Sequence, residues 1–451
     1  MTRNHASEPA WLSRALRPIT EVRQGEATTV LLLTANVFLL LSAYYVIKPL
    51  REDLILAMAS GAEYKSWLSG GIALALFVIV PVYGWLVDRL PRIKLVSGVT
   101  LAFAAQLLLF YFAIGIPSVR ANLGFFFFGW VGVFNVMVVA QFWGYANDLY
   151  EKEQGDRLFA LVALGASVGA AVGSKVAKVL VQGLGEPSML LVAAGLLTIC
   201  AGLYWLVERR DGGPATEEPA SSRGKPQPSK KGGFGLVLSH RYLLLIALFA
   251  LIYNWVNSNS EYMLSKLIKA DAAALVTQGK IKADEVGSAI GAAYADFFFY
   301  VNVAGVLAQT FLVSRLVRWL RLPAAFLFLP VIAFGNAMVF AFVPIVAVAK
   351  ATKTAENATD YSLNNTLKQM LWLVTSPDMK YKAKQVVDTF CVRMGDVFSA
   401  FSVILAVNIL HFSVQRFAWI SIVLGAVWLA IALAIGRIYH GLEERKEKLG
   451  A

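Results

Sequence analysis

The sequence predicts an all-α membrane protein in which twelve transmembrane helices form two six-helix bundles. Three observations carry that expectation. Of 451 residues, 58% are hydrophobic and only 16% charged, with a mean hydropathy of +0.61, more apolar surface than a soluble core of this size hides. The apolar segments are mostly about 18–28 residues long, the length that carries a helix across roughly 30 Å of hydrocarbon. Short strands of alternating polarity, the mark of a membrane β-barrel, are not visible.

Residues 1–25 form a polar tail with Arg3, Arg14, Arg17 and Arg23 and without the apolar core and small-residue cleavage site of a signal peptide, so they read as cytoplasmic. Spans are then expected at 26–50, 66–88, 94–115, 121–147, 158–182 and 188–208. Residues 209–239 begin with a stretch rich in Pro, Gly, Ser and charge and read as a flexible cytoplasmic linker. Further spans follow at 240–265, 286–313, 322–343, 345–374, 384–410 and 414–437, and residues 438–451 make a second cytoplasmic tail. The bundles are therefore expected at 26–208 and 240–437. No residue-level repeat relates them, yet the six-plus-six layout is what a rocking carrier with a midplane site requires.

Orientation follows from Lys and Arg on alternate loops. The N-terminal tail, Asp88–Lys94, Asp148–Arg157, the linker, Arg315–Arg321, Met379–Lys384 and the C-terminal tail are basic, which puts both termini in the cytoplasm. The same rule absorbs most of the net charge of +12, so no nucleic-acid polymer is expected as a partner. One long outer loop breaks the pattern with Lys266, Lys269, Lys280 and Lys282. Long translocated loops obey the rule less well, and a basic mouth would also attract anions. Cys200 and Cys391 lie in apolar spans and read as packing thiols. Gly165, Gly169 and Gly173 recur every four residues, the spacing of a close helix-to-helix contact.

The stretch Lys350–Val374 is the most informative. At 3.6 residues per turn it sets Lys350, Lys353, Glu356 or Asn357, Asp360, Asn364 and Lys368 along one side of a helix at membrane depth, where charges face a water-filled cavity or a partner. Other embedded or span-end cations are Lys48, Arg51 and Arg393. The candidate acids are Asp148, Glu261, Asp296, Glu356, Asp360, Asp388 and Asp396. Lys353 with Glu356 or Asn357, Glu356 with Asp360, and Arg393 with Asp396 stand three or four apart, as internal compensation or as ligand contacts would. Arg51, beside Glu52 and Asp53, either snorkels to the interface or grips an anion. Trp143, Tyr145, Tyr253, Trp255 and Tyr361 suit base stacking as well as packing. His5, His240, His411 and His440 are scattered, and neither metal-ligand spacing nor a phosphate-cradling Gly loop occurs, so no catalysis, metal or cofactor is expected.

Two sets of motifs add a resemblance. Gly84-Trp-Leu-Val-Asp88-Arg89-Leu-Pro-Arg92-Ile-Lys94 resembles the loop G-x-L-x-D-R-x-G-R-R/K of the major facilitator superfamily, with Pro91 for the second Gly and Ile93 displacing the last basic residue. In that likeness Gly84, Asp88, Arg89 and Arg92 latch two helices. The corresponding Ser314–Arg321 lacks the Asp. Four further stretches resemble the ATP/ADP translocase, or nucleotide transporter, family within that superfamily: Tyr45–Asp53; Phe142-Trp143-Gly-Tyr-Ala146-Asn147-Asp148 with Arg157-Leu-Phe and Leu164-Gly165-Ala166; Lys353–Met370 through Lys353, Glu356, Asn357, Tyr361, Ser362 and Leu363; and Lys382–Asp388 with Arg393-Met-Gly395.

The resemblance implies a major-facilitator-like fold in the bacterial inner (cytoplasmic) membrane and an alternating-access transporter of an anionic, phosphate-bearing metabolite, with no enzymatic activity. Its substrate-binding residues would be Lys48, Arg51, Asn147, Asp148, Glu261, Lys353, Glu356, Asn357, Tyr361, Lys368 and Arg393. The family's four working charges fall on Arg51, Asp148, Glu261 and Asp396, the last with its sign reversed. That reversal speaks against ATP/ADP exchange. The alternative is a proton-coupled transporter of a different small solute, with Asp148, Glu261, Asp296 or Asp396 loading the proton. The partners expected are a small anionic substrate and the bilayer, and the protein is expected to act as a monomer.

Overall fold

The computed structural model describes residues 22–23, 25–87, 89–150, 152–211, 232–372, 374–376 and 379–448. Among the described residues all regular structure is helical. In order come α1 (Ala27–Leu56), α2 (Gly61–Val87), α3 (Arg92–Ile114), α4 (Pro117–Leu149), α5 (Lys152–Gly183) and α6 (Glu186–Asp211). A short α7 (Gly233–Ser239) precedes α8 (Arg241–Thr277), α9 (Val286–Leu307), α10 (Val313–Ala325), α11 (Phe328–Phe342), α12 (Val346–Thr359), α13 (Asn365–Met370), α14 (Val392–Val403) and α15 (Val414–Lys448). Among the described residues eleven helical segments, some joining neighbouring helices and turns, are long and apolar enough to cross a membrane. The remaining span, the tenth, expected at 345–374, fails that test for a physical reason: it carries Lys350, Lys353, Glu356, Asp360 and Lys368 and is broken into α12 and α13 by a π turn at Asp360–Asn364. The architecture is thus the expected twelve-span one, with the tenth span interrupted.

Several local expectations need correction. Lys266 and Lys269 are not in an outer loop, because the Ala-rich segment after Glu261 is a strong helix former and keeps α8 going to Thr277. The helix stops where Gly279 adopts φ +68° and the Lys280 N–H bonds back to the Leu275 carbonyl at 3.0 Å, a left-handed cap that glycine favours. Arg315–Arg321 is likewise helical rather than a loop. With no Gly or Pro between Gly305 and Pro323, α9 runs through a π turn at Ala308–Leu312 straight into α10. The expected linker 209–239 gives up its ends to α6 and α7. The eleventh span is not a plain α-helix, since π turns occupy Val386–Cys391 and Ile404–Ile409, with another before them at Met379–Ala383.

The chain divides into two compact units. One comprises Met1–Ile55, Val78–Arg223 and Gly287–Asn302, the other Leu56–Phe77, Gly224–Val286 and Val303–Ala451. In the first unit Val30, Leu33 and Val37 of α1 pack with Phe142, Leu158, Val162 and Tyr204. The glycine spacing is realised here. A Cβ built on Gly165, Gly169 or Gly173 of α5 would lie 2.6, 2.3 or 2.5 Å from atoms of Thr34, Phe38 and Ser42 on α1, so only glycine lets the helices approach this closely. The Ser42 hydroxyl then donates to the Gly169 carbonyl at 3.0 Å. Cys200 is buried, its thiol 3.5 Å from the Asn36 carbonyl.

The second unit is built around α8. Phe249 stacks on Phe326 with centroids 4.2 Å apart and meets Trp428 at 5.2 Å, and Ile246, Ala250 and Val256 extend the same apolar core, which also takes in Cys391. The other side of α8 is polar, and it organises the site.

Candidate functional site: a charge network along one helix

In α8 the run Asn254-Trp-Val-Asn257-Ser258-Asn259-Ser260-Glu261 sets amides, hydroxyls and a carboxylate three and four residues apart within an otherwise apolar helix. Such groups have no water at membrane depth and must find partners in neighbouring helices. α12 supplies them. Its alanines and threonines leave room for close packing, and they carry Lys353 into complete burial. The Lys353 ammonium donates to Glu356 Oε1 and to Asn257 Oδ1, both at 2.8 Å, and stands 4.0 Å from Glu261 Oε1. Glu356 is in turn held by Asn336 of α11, whose amide nitrogen donates to Oε2 at 2.5 Å, while the Thr352 hydroxyl donates to the side-chain Oδ1 of Asn336 at 2.6 Å. Asn357 donates to Glu261 Oε1 at 3.4 Å. From α2, Lys65 lies 3.7 Å from Glu261 Oε2 and donates to Ser265 at 2.9 Å. Two lysines and two glutamates thus form one charge-balanced network. Glu261, with 24% of its side chain exposed, is its open member.

Two smaller knots lie on the same helix. Tyr253 donates to Asp360 at 2.5 Å, Asn364 adds a bond at 2.8 Å, and Lys368 stands 3.8 Å from Asp360 and 4.7 Å over the Tyr253 ring. Arg393 and Asp396 of α14 are 3.6 Å apart, with Ser258 donating to Asp396 at 2.6 Å. A Cβ on Gly395 would come within 2.6 Å of the Leu251 carbonyl oxygen, so α14 packs directly onto the α8 backbone.

The candidate residues of the first unit are arranged differently. Lys48 is buried with its ammonium 3.9 Å from the centre of the Phe298 ring, 4.9 Å from Tyr45 and 5.5 Å from Tyr44, an aromatic cage for a cation. Arg51 pairs with Glu52 and lies 4.4 Å over the Phe128 ring. Asp296 is salt-bridged to Lys178 at 2.7 Å. Asn147 and Asp148 are exposed at the end of α4. At the loop read as a latch, Arg92 bridges to Glu208 of α6 at 2.9 Å and stacks 5.1 Å from Tyr145, whose hydroxyl donates to the same carboxylate. Arg89 stacks on Trp85 at 3.9 Å, and Gly84 faces open space. Asp88 lies outside the described residues.

The sequence profile of the Major Facilitator Superfamily matches residues 29–276. The chain belongs to the Major Facilitator Superfamily. Within this superfamily it is similar to ADP,ATP carrier proteins: 22% identical over 355 residues to ADP,ATP carrier protein 1 of Chlamydia pneumoniae, across 70% of this chain and 67% of that one. It is 23% identical over 354 residues to the chloroplastic ADP,ATP carrier protein 1 of Arabidopsis thaliana, across 69% of this chain and 53% of the relative. The match thus spans between about half and two thirds of these relatives. Among solved structures, an auto-inhibited POT family peptide transporter aligns over 92% of this chain and 96% of its own with a TM-score of 0.59 at 14% identity. A mutant of the nucleoside transporter NupG aligns over 92% and 98% with a TM-score of 0.58 at 11% identity. At such identities the likeness is one of fold. This superfamily member is a multi-pass membrane transporter.

Of the residues expected from sequence, Glu261, Lys353, Glu356 and Asn357 come together in one network. Lys368 and Arg393 sit in separate knots, and Tyr361 is 45% exposed. Sequence reading missed Lys65, Asn257, Ser258 and Asn336. The density of Asn and Ser before Glu261 was the available signal for α8, whereas Asn336 is a single amide in an apolar run and Lys65 had the look of a loop charge.

Proposed function

We propose that this protein is an alternating-access secondary transporter of an anionic, phosphate-bearing metabolite, resident in a bacterial inner membrane with both termini cytoplasmic and acting as a monomer. The halves 26–208 and 240–437 would be its rocking bodies. The observation that carries the reading is the Lys65–Glu261–Lys353–Glu356 network. Buried charges inside membrane helices cost several kcal/mol each unless they serve a ligand path or one another, and here one carboxylate of the set remains open to solvent. The similarity to ADP,ATP carrier proteins supports a phosphate-bearing solute. On this reading Lys48, Arg51, Lys353, Lys368 and Arg393 supply positive charge, while Asn147, Asp148, Glu261, Glu356, Asn357 and Tyr361 orient the solute.

Asp396 favours a second reading, proton-coupled transport of a less charged solute. An acid stands there against Arg393, where the ATP/ADP translocase pattern has a lysine, so a tetra-anion would find less positive charge; Asp148, Glu261 and Asp296 are the other candidates for loading the proton. The test is uptake into proteoliposomes of labelled ATP, ADP, AMP and phosphate, with and without an inward proton gradient. Flux of a phosphate-bearing solute supports the first reading. Flux that collapses with the gradient supports the second, and absence of flux for every phosphate-bearing probe refutes the first.

A further inference from the structure

Three donors converge on the Glu261 carboxylate from two other helices: Asn357 at 3.4 Å, Lys65 at 3.7 Å and Lys353 at 4.0 Å. A closed charge-assisted bond is about 2.7–2.9 Å long, and Lys353 makes bonds of that kind to Glu356 and Asn257. These three donors stand further from the Glu261 carboxylate than that. The two lysines are almost entirely enclosed, with 8% and 0% of their side chains exposed, while Glu261 is the member that solvent reaches. A phosphoryl group is larger than a carboxylate, carries three peripheral oxygens and suits a set of donors held apart.

We infer that Lys65, Lys353 and Asn357 form an anion cradle which the Glu261 carboxylate fills in the unloaded carrier, and that the phosphoryl group of the substrate displaces it. The inference rests on the transport reading above and adds to it. It assigns Lys65 to the binding site and gives Glu261 a role as the resident stand-in anion. A consequence for the transport cycle follows. With Glu261 seated, the empty site carries two positive and two negative charges, so the unloaded carrier returns across the membrane without an uncompensated buried lysine. Such a carrier performs net uptake. Without the resident carboxylate it returns only when loaded, and becomes an obligate exchanger.

The test uses the full-length protein in detergent, titrated with inorganic phosphate and with AMP, and the same protein in proteoliposomes, where net uptake and counterflow of radiolabelled AMP are measured separately. Removing the intramolecular competitor in Glu261→Gln is expected to tighten phosphate binding on the order of tenfold, because the competent empty state is no longer a minor one. Lys65→Gln is expected to weaken it by a similar factor. In vesicles, Glu261→Gln should lower net uptake relative to counterflow. Should Glu261→Gln fail to fold, Glu261→Asp, with the charge kept and the reach shortened, is expected to bind phosphate with intermediate affinity. Equal phosphate affinity in wild type, Glu261→Gln and Lys65→Gln overturns the cradle even if the wild type carries AMP. Tighter binding by Glu261→Gln, alongside a wild type that carries no phosphate-bearing solute, supports the cradle and refutes the transport reading. Absence of phosphate and AMP binding in all variants refutes both.

Discussion

Replacing Lys353 by Met would expose how much of the fold depends on the α12 network. The Lys353 side chain is 0% exposed and that of Glu356 only 4%, so truncating either partner strands a charge where water does not reach. Breaking such a pair typically costs about 3–5 kcal/mol. Glu356→Gln should lie at the lower end, about 3 kcal/mol, because Lys353 keeps Asn257 at 2.8 Å and Glu261 at 4.0 Å. Lys353→Met should lie near the upper end, since Glu356 then keeps the Asn336 amide but no cation at bonding distance. The double variant Lys353→Met/Glu356→Leu removes both charges. It is expected to recover at least half of the loss, the remainder being about 1–3 kcal/mol for amides left without their partners. Denaturant unfolding of the purified protein in micelles, followed by tryptophan fluorescence, gives all four values and their coupling. If both single variants unfold within about 0.5 kcal/mol of wild type, a shift typical of surface positions, the face is solvated and the network is not a buried one.

Other outcomes are equally open to measurement. Gly169→Leu should prevent a stable fold, because even the first side-chain carbon would stand 2.3 Å from the Phe38 carbonyl oxygen, whereas Gly84→Ala, with nothing within 4 Å, should behave as wild type in size-exclusion and melting profiles; equal behaviour of the two would contradict the α1–α5 packing. Arg51→Gln is expected to abolish transport and, by leaving the 1% exposed Glu52 carboxylate without its guanidinium, to lower the melting temperature as well. Normal uptake by this variant would remove Arg51 from the substrate path. Asp396→Asn should eliminate any stimulation of uptake by an inward proton gradient, and robust ATP/ADP counter-exchange insensitive to this change would return the protein to plain nucleotide exchange.

The spans were legible because the membrane imposes one rule on every helix, an apolar stretch of fixed length. Lys353, Glu356 and Asn357 were legible for the complementary reason that charges inside such stretches are conspicuous. What escaped was whatever depends on departure from 3.6 residues per turn or on a partner far along the chain. The π turn at Asp360–Asn364 inserts one residue, so everything after it is turned by about 100° relative to a continuous α-helix. A stripe drawn straight from Lys350 to Lys368 therefore splits, with Lys353 in one network and Lys368 in another. Helix ends were misjudged where polar residues were taken for loop: Lys266 and Lys269 continue α8, and only the left-handed Gly279 stops it. Lys65 and Asn336 owe their importance to Glu261 and Glu356, 196 and 20 positions away in sequence, and no local pattern announces such a pairing.

The glycine contact between α1 and α5 also has a mechanical consequence. Three residues of one helix are seated, four apart, against backbone atoms of the other, so a small slide along the axis drives Phe38 and Ser42 into the shoulders beside each glycine. The next position that fits is four residues away, about 6 Å along the axis. These two helices therefore have stops rather than a continuous range, and they must travel as a single rod through any rearrangement shorter than one turn. Among the described residues every π turn falls after Gly305, in helices whose backbone can trade one hydrogen-bond register for another. Strain arriving during transport would accordingly be absorbed by the later helices, while the α1–α5 rod transmits it unchanged.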